Sequence, residues 1–249
     1  MDRGTPHLVL DNVFAGYGKM TILNGTTAQI RRAAITTVIG PNGAGKSTMF
    51  KTVFGLLPVR SGKVTFDGND ITNFSPRQML NAGVAYIPQG RNIFPELSVR
   101  HNLELGGIML ADQAALPARI AAIMQRFPML KEKADAQAST LSGGQQKMLE
   151  VARGLLLDPK LILIDEPSIG LSPIMVQDVF AILKDLRDKG VTILLIEQNA
   201  KQALQISDYG LVLEQGQTRI EDTAANILND PRIAQLFLGG GLAQPERVS

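Results

Sequence analysis

Gly40-Pro41-Asn42-Gly43-Ala44-Gly45-Lys46-Ser47-Thr48 is the stretch whose reading decides the fold. A glycine, four residues and then Gly-Lys-Ser is the spacing of a phosphate-binding P-loop. An apolar run at 35–39 leads into it and a helix-compatible run at 48–54 follows. That strand–loop–helix setting is what such a loop requires. Glycines let successive backbone N–H groups curl around an anion where side chains would clash. The helix that begins there turns its unpaired N–H groups and positive dipole end toward the same anion. In this pattern Lys46 reaches the β- and γ-phosphates and Ser47 holds Mg²⁺.

Two further strings complete a constellation. Leu161-Ile162-Leu163-Ile164 is an apolar run ending in Asp165-Glu166. Ligands of open α/β sheets sit at the carboxyl ends of strands. Asp165 is therefore expected beside the phosphates as a Mg²⁺ ligand. Glu166 is expected to face the γ-phosphate and to orient or deprotonate the attacking water. Leu141-Ser142-Gly143-Gly144-Gln145-Gln146 opens another helix, and so makes a second anion-binding terminus. One nucleotide does not need both termini, so this loop reads as serving a nucleotide held by a partner subunit.

The rest of the chain reads as the scaffold for this site. Strands are expected at 8–14, 22–30, 35–39, 63–67, 83–87, 160–164 and 191–196, with a hairpin of 210–214 and 217–221 around Gly216. Helices are expected at 47–57, 76–81, 143–157, 173–189, 199–206, 223–229 and 231–238. From about 91 to 138 alternating strand patterns vanish. Ser98 and Pro117 open helical runs there, which reads as a helical insert. The expected organisation is one α/β domain, with its core at about 1–90 and 139–238 and a flexible Gly-rich tail at 239–249.

Composition closes off other classes. The 249 residues are 45% hydrophobic, with a formal net charge of +2, no cysteine and no dense Lys/Arg block. Disulfides and thiolate metal sites are excluded, and no nucleic-acid partner is expected. No apolar run approaches the roughly 20 residues of a membrane span, and the N-terminus lacks a signal-peptide layout. A soluble subunit that docks on a membrane protein is expected.

With LSGGQQ placed between GPNGAGKST and LILIDE, the chain resembles the ATP-binding cassette (ABC) ATPases over roughly residues 8–239. The resemblance implies a P-loop NTPase with a mainly parallel core sheet, an N-terminal antiparallel β subdomain and an inserted α-helical subdomain. It implies ATP and Mg²⁺ as cofactors, and a head-to-tail dimer in which Ser142, Gly143 and Gly144 close over the partner's ATP. Tyr17 is similar to the aromatic that stacks on adenine. Gln89 is similar to the glutamine that contacts Mg²⁺ and senses the transmembrane partner. Gln198 stands where the family usually has a histidine, which makes it a γ-phosphate sensor that hydrogen-bonds but carries no charge. Ser172 stands where the family usually has an aspartate.

EPSIGLSP, EQNA and AYIPQGRNIFPELSV resemble the F-type ATPase of branched-chain amino acid importers; urea and short-amide importers carry closely similar subunits. This implies a second ATPase subunit, as a heterodimer or a homodimer, two permease subunits and a substrate-binding protein, with the ATPases on the cytoplasmic face of the inner membrane. A non-transport ABC ATPase and a regulatory subunit with little turnover are the competing readings.

Overall fold

The computed structural model describes residues 6–90, 92–110 and 112–233. The expected tail at 239–249 and most of the expected helix at 231–238 lie outside the described residues.

Strands β1 (Pro6–Ala15), β2 (Leu23–Arg31), β4 (Val59–Phe66) and β5 (Asn69–Asp70) form an antiparallel sheet in the order β2-β1-β4-β5. Strands β3 (Ile35–Ile39), β6 (Val84–Ile87), β7 (Leu161–Asp165), β8 (Thr192–Ile196), β9 (Tyr209–Glu214) and β10 (Gln217–Thr223) form a second sheet in the order β10-β9-β3-β8-β7-β6. In it β9, β3, β8, β7 and β6 run parallel, and β10 closes the edge antiparallel. Every residue of β3, β7 and β8 is buried. That explains their mostly apolar sequences, because a parallel sheet covered on both faces has no wet side.

The two faces of this sheet meet different layers. Val38, Leu161, Leu163, Leu194 and Ile196 pack with Met49 and Phe50 of α1 (Lys46–Val53) and with the inner face of the antiparallel sheet. Ile35, Ile162, Ile164, Ile193 and Leu195 pack on the other side against α6 (Gly143–Leu155) and α7 (Pro173–Asp188). The segment between β6 and α6 carries α3 (Val99–Gly106), α4 (Leu116–Arg126) and α5 (Pro128–Glu132). Leu103, Ile120 and Leu130 from these helices belong to the same apolar cluster as the sheet. The inserted helices therefore share the core of the α/β body. The Arg126 guanidinium adds a polar tie to Asp185 of α7, at 2.5 and 3.1 Å.

Several boundaries differ from the sequence expectation for identifiable reasons. The helix expected at 47–57 ends at Val53. Gly55 takes φ 77°, and the N–H groups of Leu56 and Leu57 turn back to the Lys51 carbonyl, so the helix closes before Pro58. The strand expected at 63–67 begins at Val59, where the Asn73 side chain pairs with both the N–H and the carbonyl of Val59. The sequence reading missed α5, because Pro128 looks like a breaker although it occupies the first turn, where a missing N–H costs nothing. It also missed β5, two residues hidden in the turn-forming string Asp67-Gly68-Asn69-Asp70.

The helix α2 (Pro76–Ala82) starts with a capping box between Ser75 and Gln78 and leads directly into β6. The last elements are α8 (Ala200–Ile206) and α9 (Ala224–Asn229), which flank the β9–β10 hairpin.

One turn joins the two sheets. Gly216, in the β9–β10 hairpin, donates its N–H to the Ala44 carbonyl at 2.9 Å. Its own carbonyl accepts from Asn24 N–H at 2.9 Å and from Thr26 Oγ at 2.7 Å. The backbone is left-handed here, at φ 73°, and a Cβ would stand 1.8 Å from the Ile22 carbonyl oxygen. Only glycine satisfies both conditions. The same turn thus grips β2 on one side and the P-loop on the other.

Candidate nucleotide-binding site

The loop between β3 and α1 is held by close backbone approach. A Cβ on Gly40 would lie 2.1 Å from the Leu213 carbonyl oxygen, so β9 leaves no room for one. Gly45, at φ 100°, is the N-cap of α1 and contributes no side chain over the helix terminus. The unpaired N–H groups of the first turn therefore face an open space. Tyr17, Ile22, residues 42–48 and Glu166 line this space, a cleft of about 270 Å³. Lys46 Nζ donates to the carbonyls of Gly40, at 2.8 Å, and Pro41, at 3.1 Å. Burial lowers the Lys46 pKa, while the Glu166 and Asp165 carboxylates pull it back up.

Asp165 ends β7, and Glu166 follows it on the loop. Asp165 is 2% exposed. Burial is the main force raising its pKa; hydrogen bonding from Ser47 and Tyr86 and the charges of Lys51 and Lys46 oppose it. Its Oδ2 accepts from the Tyr86 hydroxyl at 3.5 Å, and its buried Oδ1 has no hydrogen-bond partner. Glu166 adopts φ 48°, a left-handed conformation that costs a non-glycine residue about 1–2 kcal/mol. A backbone bond from Glu166 N–H to the Ile196 carbonyl, 2.9 Å long, holds it there. The kink aims the side chain at Gln89, whose Nε2 donates to Glu166 Oε2 at 2.7 Å. Burial, then the Asp165 charge, raises the Glu166 pKa, and Lys46 opposes both.

The donor set suits a hard cation. An orphaned carboxylate oxygen on Asp165, the Ser47 hydroxyl beside it and the free amide oxygen of Gln89 are all oxygen donors. Among the described residues there is no group of three or more His, Asp or Glu that would enclose a metal by itself. Mg²⁺ takes one or two protein oxygens and completes its shell with phosphates and water, so the Asp165 and Ser47 oxygens fit it.

The structure divides the remaining expected residues between two other places. Ser142 and Gly143 are exposed, and neither they nor the buried Gly144 line the Tyr17 cleft. Ser142 and Gln145 form a capping box: Gln145 N–H reaches Ser142 Oγ at 3.4 Å and Ser142 N–H reaches Gln145 Oε1 at 3.1 Å. Gln198 is exposed and lines a neighbouring cleft with Ser168, Ile169, Gly170 and residues 199–201. Ser172 is the N-cap of α7, its side chain accepting from Met175 N–H.

Three buried charges escaped the sequence reading. Lys147 and Glu150, one turn apart on α6, form an ion pair of 2.5 Å with side chains 6% and 3% exposed. Lys147 Nζ also donates to the Gly90 carbonyl at 3.0 Å, and Glu150 Oε1 accepts from Asn92 N–H at 2.6 Å. The loop after Gln89 is thereby clamped to the helix that Ser142 opens. The third is Glu197, 3% exposed, at the end of β8. The signal for Glu197 was present: LLIE repeats the pattern of LILID, and Asp165 pairs in register with Ile196, the residue before Glu197.

The ABC transporter family model matches residues 23–169. The chain belongs to the ABC transporter ATPase family. It is 39% identical to the high-affinity branched-chain amino acid transport ATP-binding protein BraG of Pseudomonas aeruginosa, over 94% of this chain and all of that protein. It is 38% identical to the probable branched-chain amino acid transport ATP-binding protein LivF of Archaeoglobus fulgidus, over 90% of this chain and 95% of that one. An ATP-binding cassette of an ABC transporter, solved in its ADP conformation, superposes with a TM-score of 0.85 at 29% identity, covering 95% of this chain and all of that one. As an ABC ATPase the chain binds nucleotide and hydrolyses ATP to power transport. Among the described residues no helix is long and apolar enough to cross a membrane.

Proposed function

We propose that this chain powers an importer for branched-chain amino acids, as one of two ATPase subunits bound beneath two permeases at the cytoplasmic face of the membrane. The convergence of Lys46, Ser47, Gln89, Asp165 and Glu166 around one cleft supports the hydrolytic part of this reading. The relatives named for branched-chain amino acid transport, together with EPSIGLSP and EQNA in the chain itself, support the cargo.

In this reading Tyr17 stacks on adenine and the P-loop N–H groups hold the phosphates. Lys46 exchanges its bonds to Gly40 and Pro41 for phosphate oxygens. Ser47, Gln89 and Asp165 would hold Mg²⁺, which would supply charge neutralisation to the phosphates. Glu166 positions and deprotonates the water, and its raised pKa brings its basicity nearer to that task. Ser142, Gly143 and Gly144 of a second ATPase subunit close over the γ-phosphate, while Gln198 hydrogen-bonds it. A substrate-binding protein delivers the amino acid on the far side.

Glu166→Gln keeps the shape of the carboxylate and removes its basicity. Loss of a general base costs about 10²–10⁴-fold in rate, so turnover falls by that factor while ATP binding persists. Lys46→Ala loses binding itself. Normal hydrolysis by Glu166→Gln refutes the assignment. Uptake of labelled leucine and urea by cells lacking this subunit separates the two cargo classes: loss of urea uptake alone refutes the amino-acid reading.

A further inference from the structure

Glu197 receives three hydrogen bonds from two loops. Its Oε1 accepts from Ser168 N–H at 2.9 Å. Its Oε2 accepts from Ser168 Oγ at 2.6 Å and from Gln198 N–H at 3.2 Å. Ser168 lies two residues after Glu166, on the loop that leaves β7, and Gln198 begins the loop that leaves β8. The adjacent bond from Glu166 N–H to the Ile196 carbonyl runs between the same two strand ends. Two backbone donors, one on each oxygen, require an acceptor lone pair on both oxygens, which a carboxyl group supplies. An amide at this position puts its NH₂ against one of the two donors in either orientation, so one partly buried N–H loses its partner. Burial is the main force raising the Glu197 pKa and the Glu166 charge adds to it, while the bonds from Ser168 and Gln198 oppose both.

We propose that Glu197 is a positioning residue for ATP hydrolysis, whose carboxylate locks the Glu166 loop to the Gln198 loop so that base and γ-phosphate sensor move as one body. The proposal rests on the roles assigned above to Glu166 and Gln198. Its mechanical content is specific. Glu166 holds a left-handed backbone that no local preference supports. The strap through Ser168 to Glu197 is one of two ties that keep it there. Residues 169–172 continue from Ser168 into α7, with Ile169 and Ile174 displaying exposed apolar side chains on either side of Ser172. A push on that exposed loop is passed through Ser168 and Glu197 to Gln198.

The test compares Glu197→Gln, Ser168→Ala and Glu166→Gln in the full chain. Amide hydrogen exchange is read at Ser168 and Gln198 in the isolated chain, and kcat and KM for MgATP in the assembled transporter. Glu197→Gln should lower kcat on the order of tenfold, the cost of one unpaired, partly buried N–H, with KM within about twofold because the P-loop is untouched. Exchange at the Ser168 and Gln198 amides should speed up, while the α1 amides stay as protected as in the wild type. Ser168→Ala, which keeps every N–H and loses only the hydroxyl, should fall in between.

An unchanged kcat in Glu197→Gln overturns the proposal, as does a lowered kcat with intact protection at both amides. A loss shared by all amides and by KM marks a general folding defect and overturns it as well. If Glu166→Gln is inactive while Glu197→Gln is normal, only the Glu197 assignment fails. If Glu166→Gln turns over normally, the reading of the site itself fails.

Discussion

Lys147→Met isolates a buried charge and tests the clamp between α6 and the loop after Gln89. Lysine and methionine are of similar length, so the change removes the ammonium with little loss of volume. Glu150, its side chain 3% exposed, then keeps only the Asn92 N–H and the attraction of the Arg153 charge. Breaking one partner of a buried pair costs about 3–5 kcal/mol. The surviving bond places this case at the lower end, about 3 kcal/mol. In a chain of this size each kcal/mol moves the melting point by about 2–4 °C, so Lys147→Met should melt about 6–12 °C below wild type.

The double variant Lys147→Met/Glu150→Leu removes the stranded charge along with its partner. It forfeits the bonds to Gly90 and Asn92 but no longer buries an ion. Apolar replacements of buried pairs are often neutral or better, so the double variant should melt well above the single one. Calorimetry on the nucleotide-free chain reads both. A single variant within about 2 °C of wild type, or a double variant less stable than the single, refutes the view that this pair is buried and coupled.

Two other sites make sharp predictions. His7 in β1 shares a 2.7 Å bond with Thr192 of β8, and burial, then the charges of Arg32 and Lys160, lowers its pKa from 6.5 to about 4, with Asp67 opposing. Between those values the unfolded chain binds the extra proton, so the stability from this histidine is complete above pH 6.5 and drains away as the pH falls toward 4. At about 1.4 kcal/mol per pKa unit the loss is at most about 3 kcal/mol, and His7→Asn should flatten the melting curve over that range by up to this amount; an unaltered pH profile counts against it. Gly216→Ala places a methyl 1.8 Å from the Ile22 carbonyl at φ 73°, and should lower both the melting point and nucleotide affinity by displacing Ala44; wild-type affinity contradicts the link to the P-loop.

The P-loop, the strand end at Asp165 and Glu166 and the parallel strands were legible because each is a local pattern. β7 and β8 are short and run through four apolar residues, with a polar residue only at one end, a consequence of two-sided burial that shows in any window of five residues. What the sequence hid depends on distant chain coming to lie over a residue. Lys147 and Glu150 look like a solvated helical face at i, i+3, yet they are interior, with Gly90 and Asn92 bonded across them. Glu197 looks like the wet end of a strand, and is buried because the loop from β7 crosses above it. His7 reads as an edge residue, yet its partner is 185 positions away. The left-handed backbone of Glu166 could not be inferred either, since glutamate has no preference for it and distant partners, Ile196 directly and Glu197 through Ser168, hold it.

The junction at Gly216 acts as a fixed gauge. Tyr17 follows β1 of one sheet and Lys46 follows β3 of the other, and the bonds from Gly216 to Asn24, Thr26 and Ala44 set the spacing between them before any nucleotide arrives. A ligand long enough to touch both ends meets a span already cut to length. It need not draw the sheets together and forfeits no entropy in doing so. The free energy of its arrival is left to act elsewhere, on the parts of the chain beyond the P-loop that no such stitch restrains.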